Sequence, residues 1–190
     1  PLTLDRQVRT LFVGAGATGG YFGGRLAQAG KDITFLVRPG RQAVLDRRGL
    51  RIKSPDSETV VRPRTITAAT VDGPYDLVVL AVKSYALEQA LIDMAPAIGP
   101  RTVIVPLLNG MRHLDSLDAR FGPGRVLGGS CFISSRLDDA GRVVHLSEIH
   151  KLVFGERPGG RSSRVDAIEA AMAGARFEAA ASDRIVLDMW

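Results

Sequence analysis

FVGAGATGGYFGGRLAQAG, residues 12–30, decides the fold of this chain. It contains seven glycines in nineteen residues, within a pattern that otherwise predicts a β-strand leading into an amphipathic helix. Each glycine inside a helix costs about 0.5–1 kcal/mol relative to alanine. The glycines therefore indicate positions at which a side chain would block the approach of another group. We expect that group to be a bound pyrophosphate.

Three of these glycines, Gly14, Gly16 and Gly19, match the pattern G-x-G-x-x-G between the strand and the helix. The first allows a tight turn, the second lets a pyrophosphate approach the backbone, and the third lets the helix lie against the strand. Ala17 and Thr18 open the helix, whose first N–H groups can hold an anion. We therefore predict dinucleotide binding here, the alternative being a glycine-rich turn without a ligand.

The end of the second predicted strand, FLVRPGR, indicates which dinucleotide binds. Arg38 stands roughly twenty residues past the glycines, where NAD-binding proteins carry an acid that accepts hydrogen bonds from the ribose. An arginine there suits a 2′-phosphate and can stack on adenine, which favours NADP. The alternatives are that Arg38 is a solvated loop residue, or that Arg41 shares or replaces its role.

Two further polar residues follow hydrophobic strands. Lys83 comes after the strand in AVKSY, and Asn109 comes after the strand in PLLNGM. Ligands of an open α/β sheet bind outside the carboxyl ends of its strands, so both side chains are expected to face the dinucleotide. Alternatively, Lys83 is a surface lysine, and Asn109 with Gly110 forms a turn.

The rest of the chain predicts an α/β fold, a Rossmann-type doubly wound and mostly parallel sheet with an antiparallel extension. Gly23 is interpreted as a packing glycine where the first helix meets the sheet. Residues 50–53 and 59–62 are expected to form a hairpin, and GRVVHL and KLVFGE an antiparallel pair. Ser182 is a candidate N-cap of a last helix. The other predicted strands are residues 8–13, 33–37, 76–82, 102–106 and 126–133, and the predicted helices are 18–29, 41–48, 87–95, 111–121 and 164–173.

Composition excludes several classes of function. The net charge of +5 and pI of 9.9 come from scattered basic residues that are not interleaved with aromatics, so no nucleic acid is expected. The apolar runs are too short to cross a bilayer, and we expect a cytoplasmic protein with no membrane contact. The single cysteine, Cys131, is expected to be a small buried hydrophobe.

No metal site is predicted. His113, His145 and His150 lack the spacing of a zinc site, and their positions along the predicted strands and helix are expected to keep them apart. Each is interpreted as a structural or surface residue. A nucleophile elbow and a Walker lysine are also missing from the sequence, which leaves hydrolase and nucleotide triphosphatase functions without support.

Taken in order, GAGATGGYFGGRLA, FLVRPGR, AVKSY, PLLNGM and LGGSCFISSRLDDAGRVVHL resemble the ketopantoate reductase (2-dehydropantoate 2-reductase) family over almost the whole chain. The resemblance implies an enzyme that reduces 2-dehydropantoate, a small 2-oxo acid, to pantoate with NADPH, in pantothenate and coenzyme A biosynthesis. It places Arg38 and Lys83 at the adenosine phosphates. It places Asn109 beside the nicotinamide ribose and the substrate, where it belongs to the catalytic site.

The resemblance also carries two differences. Ala86 stands where family members commonly have glutamine, which leaves a contact with the adenine edge in doubt. The family's general acid is a lysine two residues beyond a helical tryptophan, and the matching tryptophan is Trp190. We therefore expect residues 1–181 to form the NADP-binding domain, and residues 182–190 to begin a helix leading into a substrate domain through which a homodimer could form. The alternatives are a family member acting on another 2-oxo acid and a non-catalytic NADP-binding module.

Overall fold

The computed structural model describes residues 7–55 and 57–190, which form two β-sheets and the helices that pack on them. The strands are β1 (Thr10–Val13), β2 (Ile33–Leu36), β3 (Leu50–Ser54), β4 (Ser57–Val61), β5 (Arg64–Ile66), β6 (Leu77–Leu80), β7 (Val103–Pro106), β8 (Gly128–Leu137), β9 (Val143–Gly155) and β10 (Glu178–Ala181). The α-helices are α1 (Ala17–Gln28), α2 (Pro39–Arg48), α3 (Leu87–Met94), α4 (Arg112–Phe121), α5 (Ser163–Met172) and α6 (Ile185–Asp188), and short 3₁₀ helices cover Ala68–Thr70, Ser84–Ala86, Ala95–Ala97 and Pro123–Arg125.

The first sheet has the strand order β5-β2-β1-β6-β7, and all of its neighbouring strands are parallel. Its four longer strands are fully buried runs of mostly apolar residues, as expected for a parallel sheet covered on both faces. One face packs on α3 and α4 through residues such as Leu91 and Leu117. The Rossmann-type fold predicted from the sequence is therefore confirmed.

The second sheet supplies the predicted antiparallel part. β3 and β4 form the expected hairpin, and β8 pairs antiparallel with β9. β9 also pairs in parallel with β3 and with β10. The two sheets enclose α1, because Phe12 and Phe35 of the first sheet and Leu50 and Ile52 of the second belong to one core cluster with it.

The glycines inside α1 make this enclosure possible. A Cβ at Gly23 would lie 2.6 Å from a ring carbon of Phe35 in the first sheet, which confirms its interpretation as a packing glycine. A Cβ at Gly24, on the side of the second sheet, would lie 2.7 Å from Ile52. Cβ contacts this short essentially never occur in proteins, so each residue lets a sheet approach the helix axis.

The expected antiparallel pair GRVVHL and KLVFGE was wrong. Both segments belong to the single strand β9, whose antiparallel partner is β8. The register shifts between Ile133, which pairs with His150, and Ser135, which pairs with His145. Four residues of β9, 146–149, therefore oppose one residue of β8, and this irregularity has the sequence pattern of a turn.

The same irregularity corrects the expectation that the histidines lie apart. The rings of His145 and His150 stack with centroids 5.1 Å apart, and Tyr21 Oη lies 2.5 Å from His150 Nδ1. Burial, the neighbouring His150 and Arg25 lower the pKa of His145; burial and Arg25 lower the pKa of His150. His113 is separate, buried in α4.

Three other expectations need correction or addition. Ser182 does not cap the last helix: α6 has Arg184 as its N-cap, and the Ser182 hydroxyl accepts the Arg184 N–H and donates to Asp188. The sequence analysis did not predict β5, which has three residues. It also missed β10, whose sequence EAAA has the composition of a helix rather than a strand.

Candidate functional site

A groove of about 620 Å³ opens at the carboxyl ends of β1, β2, β6 and β7. The chain leaves β1 toward β2 on one side and returns through β6 on the other, so the groove lies at the point where the strand order reverses. Open α/β sheets bind their ligands at this point, and the volume is in the range of small-molecule and cofactor sites.

The turn between β1 and α1 forms the floor of the groove. Gly14 has a φ of +100°, a conformation that L side chains rarely adopt, and a Cβ there would lie 3.0 Å from the Ala81 carbonyl oxygen. A Cβ at Gly19 would lie only 2.2 Å from the Gly14 carbonyl oxygen. The first and third glycines of the fingerprint are therefore required by the fold itself.

The second glycine of the fingerprint is different. Gly16 is the N-cap of α1 with a φ of −80°, and a Cβ at this position would meet nothing within 4 Å. The helix begins without a side-chain cap and without an acidic residue in its first turn. Ala17 and Thr18 follow and line the groove, so the positive end of α1 is open to a ligand.

Two cations border this helix end. Arg38 follows β2 as the N-cap of α2, and Lys83 follows β6 at the start of the 3₁₀ helix Ser84–Ala86. Both residues are exposed and line the groove. Neither side chain has a hydrogen-bond or ion-pair partner among residues 7–55 and 57–190, so both charges are available to an anion.

Asn109 lies at the far end of the groove from Arg38 along the sheet, after β7. It is exposed, and its side chain has no partner in the described part of the chain. Gly110 follows with a φ of +73°. Of the nine residues predicted to bind the cofactor, seven line the groove; Gly19 lies beneath the loop, and Gly110 lies next to the groove without lining it.

Arg41, predicted only to share or replace the role of Arg38, lines the groove and is anchored to the loop. Its Nε donates to the Ala15 carbonyl oxygen at 3.0 Å, and its Nη1 donates to the Gly141 carbonyl oxygen at 2.8 Å. Nη2 is buried without a partner among the described residues. Burial lowers the pKa of Arg41, which nevertheless stays charged as arginines do in proteins.

One wall of the groove was not predicted at all. Alternate residues of β8 face the groove, because the chain that enters β8 lies beside β7, with Val126 pairing in parallel with Ile104. Burial raises the pKa of the Cys131 thiol to about 11 against the opposing effect of Lys83, so the thiol stays protonated at neutral pH. Cys131 is half-buried: it lines this wall and also packs against the core cluster around α1, so it is less buried than expected. The wall residues are Cys131, Ile133, Ser135 and Leu137.

The segment after Lys83 adds two polar groups that were also missed. The Tyr85 side chain is 84% exposed and lines the groove. Ala86, the position that departs from the family pattern, lines it too, and Gln89 follows one helical turn later. The Gln89 amide donates to Asp93 at 2.7 Å. This end of the groove therefore still offers an amide, although not at the family's position.

Residues 7–55 and 57–190 contain no group of three or more histidine, cysteine, aspartate or glutamate side chains that could hold a metal ion. None of the helices in these residues is long and apolar enough to cross a membrane.

Comparison with known proteins agrees with this geometry. Residues 10–159 match the family model of the ketopantoate reductase PanE/ApbA. The chain belongs to the ketopantoate reductase family. The resemblance found in the sequence is therefore confirmed. The members of this family are oxidoreductases that use a nicotinamide dinucleotide to reduce small 2-oxo acids.

Individual relatives place the chain within this ketopantoate reductase family. It is 44% identical over 183 residues to the uncharacterized oxidoreductase YkpB of Bacillus subtilis, covering 96% of this chain and 60% of the relative. It is 31% identical over 202 residues to the 2-dehydropantoate 2-reductase of Mesorhizobium japonicum, covering 95% and 61%. The crystal structure of 2-dehydropantoate 2-reductase from Geobacter metallireducens matches with a TM-score of 0.80 and 28% identity, over 92% of this chain and 58% of that one. The chain thus spans about 60% of the length of these curated relatives.

Proposed function

We propose that this chain is the dinucleotide-binding part, residues 1–181, of an enzyme that reduces 2-dehydropantoate to pantoate with NADPH. The observation that carries the proposal is the open N-terminus of α1 at Gly16, with the cations Arg38 and Lys83 beside it, neither of which has a partner in residues 7–55 and 57–190. The N-terminus of α1, Arg38 and Lys83 are three positive groups without carboxylate partners among the described residues, and together they form a binding site for a polyanion. A dinucleotide phosphate with a 2′-phosphate has that charge.

The residues present fit NADP. The backbone amides at Gly16, Ala17 and Thr18 would hold the pyrophosphate, because a helix N-terminus stabilises an anion through its free N–H groups and its dipole. The guanidinium of Arg38 would hold the 2′-phosphate with charge-assisted hydrogen bonds. Lys83 would add a compact cation near the adenosine phosphates.

Reduction of a ketone to an alcohol needs a hydride and a proton, and bound NADPH supplies the hydride. The amide of Asn109 can donate to one oxygen of the substrate or ribose and accept from another, which orients the reacting carbonyl. A donor must also stabilise the negative charge that develops on the carbonyl oxygen. We propose that this donor is the lysine that the family carries two residues past the position of Trp190.

A second candidate is reduction of another 2-oxo acid by the same machinery. The relative with 44% identity has no assigned substrate, whereas the named 2-dehydropantoate 2-reductase of M. japonicum has 31% identity. The β8 wall, which includes Ile133 and Leu137, would suit an apolar substituent on either acid, including the dimethyl carbon of 2-dehydropantoate, so only turnover separates the two candidates.

The experiment has a binding arm and a turnover arm. Fluorescence titration of this chain should give tighter binding of NADPH than of NADH, and Arg38→Met should reduce that preference about 10- to 100-fold, the value of one or two charged hydrogen bonds. The matched control is Arg48→Met, an exposed arginine of α2 outside the groove, which should leave the preference unchanged. Equal dissociation constants for the two dinucleotides in the wild type would refute the NADP assignment.

Turnover identifies the substrate. Steady-state assays of the protein at its full natural length, with 2-dehydropantoate and other 2-oxo acids, should give the highest kcat/KM for 2-dehydropantoate. A higher value for another acid would support the second candidate. NADPH binding without turnover of any 2-oxo acid would indicate a non-catalytic binding module.

A further inference from the structure

Three half-buried arginines elsewhere in the fold pair with an acid, whereas Arg41 and Arg125 donate to backbone carbonyls, and of these two only Arg41 lines the groove. Arg142, Arg157 and Arg164 each pair with a carboxylate at 2.6–2.7 Å. Arg41 instead donates to two neutral backbone carbonyls and has no carboxylate partner in the described residues. No carboxylate among the described residues therefore neutralises the positive charge of Arg41.

The two carbonyls belong to connections of different sheets. Ala15 lies between the first two glycines of the phosphate loop and is 3% exposed, so its backbone is part of the core. Gly141 lies in the turn between β8 and β9 and has a φ of +75°. A Cβ at Gly141 would lie 2.9 Å from Arg41 Nη1, so the turn leaves room for the guanidinium. Arg41 therefore joins the loop of the first sheet to the turn of the second.

Holding the Ala15 oxygen also sets the next amide. The peptide between Ala15 and Gly16 is trans, and in a trans peptide the carbonyl oxygen and the amide hydrogen point in opposite directions. The hydrogen bond from Arg41 Nε at 3.0 Å thus fixes the direction of the Gly16 N–H. That N–H belongs to the N-cap of α1, where the Cβ position is open.

We propose that Arg41 is a positioning residue for the pyrophosphate: it fixes the phosphate loop through Ala15 and adds an uncompensated charge beside the open end of α1. This role rests on the proposed function, because it requires a dinucleotide in the groove. It differs from the role of Arg38, which concerns the 2′-phosphate alone. Arg41 therefore supports NADPH and NADH equally.

The test compares Arg41→Met, Arg41→Lys and the control Arg125→Met. Arg125 is a matched control because it is half-buried, donates to the carbonyls of Gly99 and Phe121, and lies outside the groove. Dissociation constants for NADPH and NADH are measured by fluorescence titration of the whole chain at low and high salt, together with thermal unfolding.

Arg41→Met is expected to weaken both dinucleotides by the same factor, about 10- to 100-fold, and to reduce the salt dependence of binding. Arg41→Lys should retain the salt dependence yet bind more weakly than the wild type, since an ammonium lacks the planar fork that reaches two carbonyls. Arg125→Met should change thermal unfolding without changing either dissociation constant. If Arg41→Met does not fold, Arg41→Lys carries the test.

Three results would overturn the role. Wild-type affinity in Arg41→Met excludes it, and a loss confined to NADPH makes Arg41 a 2′-phosphate contact instead. An equal loss in Arg125→Met assigns the effect to general destabilisation. If the wild-type chain binds neither dinucleotide, the proposed function and this role both fail. The other three results refute only the role of Arg41.

Discussion

Substitution of Gly16 by alanine separates the needs of the fold from the needs of a ligand. A Cβ at Gly16 meets nothing within 4 Å, and its φ of −80° is open to any residue. A Cβ at Gly19 would lie 2.2 Å from the Gly14 carbonyl oxygen, which is 0.8 Å inside the 3.0 Å below which real Cβ contacts essentially never fall. Alanine at Gly19 must therefore push α1 away from β1.

These geometries give different stabilities. At Gly16, alanine reduces the entropy of the unfolded chain, which contributes about 0.4–1 kcal/mol, and it is a poorer N-cap than glycine by a similar amount. The free energy of unfolding should therefore change by less than about 0.5 kcal/mol. At Gly19, overpacking against the backbone costs about 1–3 kcal/mol or more, and the helix propensity of alanine returns at most about 1 kcal/mol. Gly19→Ala should lose about 2 kcal/mol.

Binding should show a different order. If the pyrophosphate binds as proposed, the methyl group of Gly16→Ala would stand where it approaches the backbone, and the loss of one charge-assisted hydrogen bond should raise the dissociation constant of NADPH about 10- to 100-fold. Urea unfolding and NADPH titration of the same samples measure both quantities. Gly124→Ala is the control, because its Cβ also meets nothing within 4 Å and it lies outside the groove.

The reasoning fails if Gly16→Ala binds NADPH as tightly as the wild type does. The pyrophosphate would then lie elsewhere. It also fails if Gly16→Ala loses as much stability as Gly19→Ala, since Gly16 would then be required by the fold.

Two further predictions concern the histidine pair and Asn109. Folding lowers the pKa values of His145 and His150 below 6.5. The unfolded chain therefore binds protons more readily, so the contribution of this pair to stability is fully present above pH 6.5 and is lost as the pH falls toward the lowered values. The free energy of unfolding should fall by at most about 1.4 kcal/mol per pH unit for each proton that the unfolded chain takes up. Urea unfolding between pH 7 and 5 should show this slope, and the double variant His145→Gln/His150→Gln should flatten it; an unchanged slope would assign the protons to other groups. Asn109→Ala should lower the kcat/KM of the full-length protein about 10- to 100-fold. The melting temperature should stay the same, because the exposed side chain of Asn109 has no partner among the described residues. An unchanged kcat/KM would remove Asn109 from the site.

The parts of the fold that were predicted correctly depend on local pattern. A buried parallel strand is a short apolar run, and its end is marked by the polar residue that leaves the sheet, as at Lys83 and Asn109. Because the strands of a parallel sheet end at one edge, the sequence was enough to predict that these separate positions lie close together. The prediction that Lys83 and Asn109 share a groove with Gly14 and Arg38 followed from that rule.

The parts that were missed depend on contacts between the sheets. The irregularity of β9 at residues 146–149 interrupts the alternation of a strand, so the sequence there has the pattern of a turn although the strand continues. The β8 wall of the groove depends on the contact between the start of β8 and β7, two segments that local pattern does not link. Arg41 was underrated for the same reason, since its partner Gly141 is one hundred residues away.

The glycines of residues 12–30 show how far a fingerprint can be interpreted. Gly14 and Gly19 are required by the turn and by the approach of α1 to the first sheet, and Gly23 and Gly24 let the two sheets pack closely on α1. Each of these four therefore has a cause within the protein. Gly16 alone, among the five compared, has none: its backbone conformation is ordinary and its surroundings are open. The inference of a ligand from this stretch thus depends on Gly16 rather than on the number of glycines.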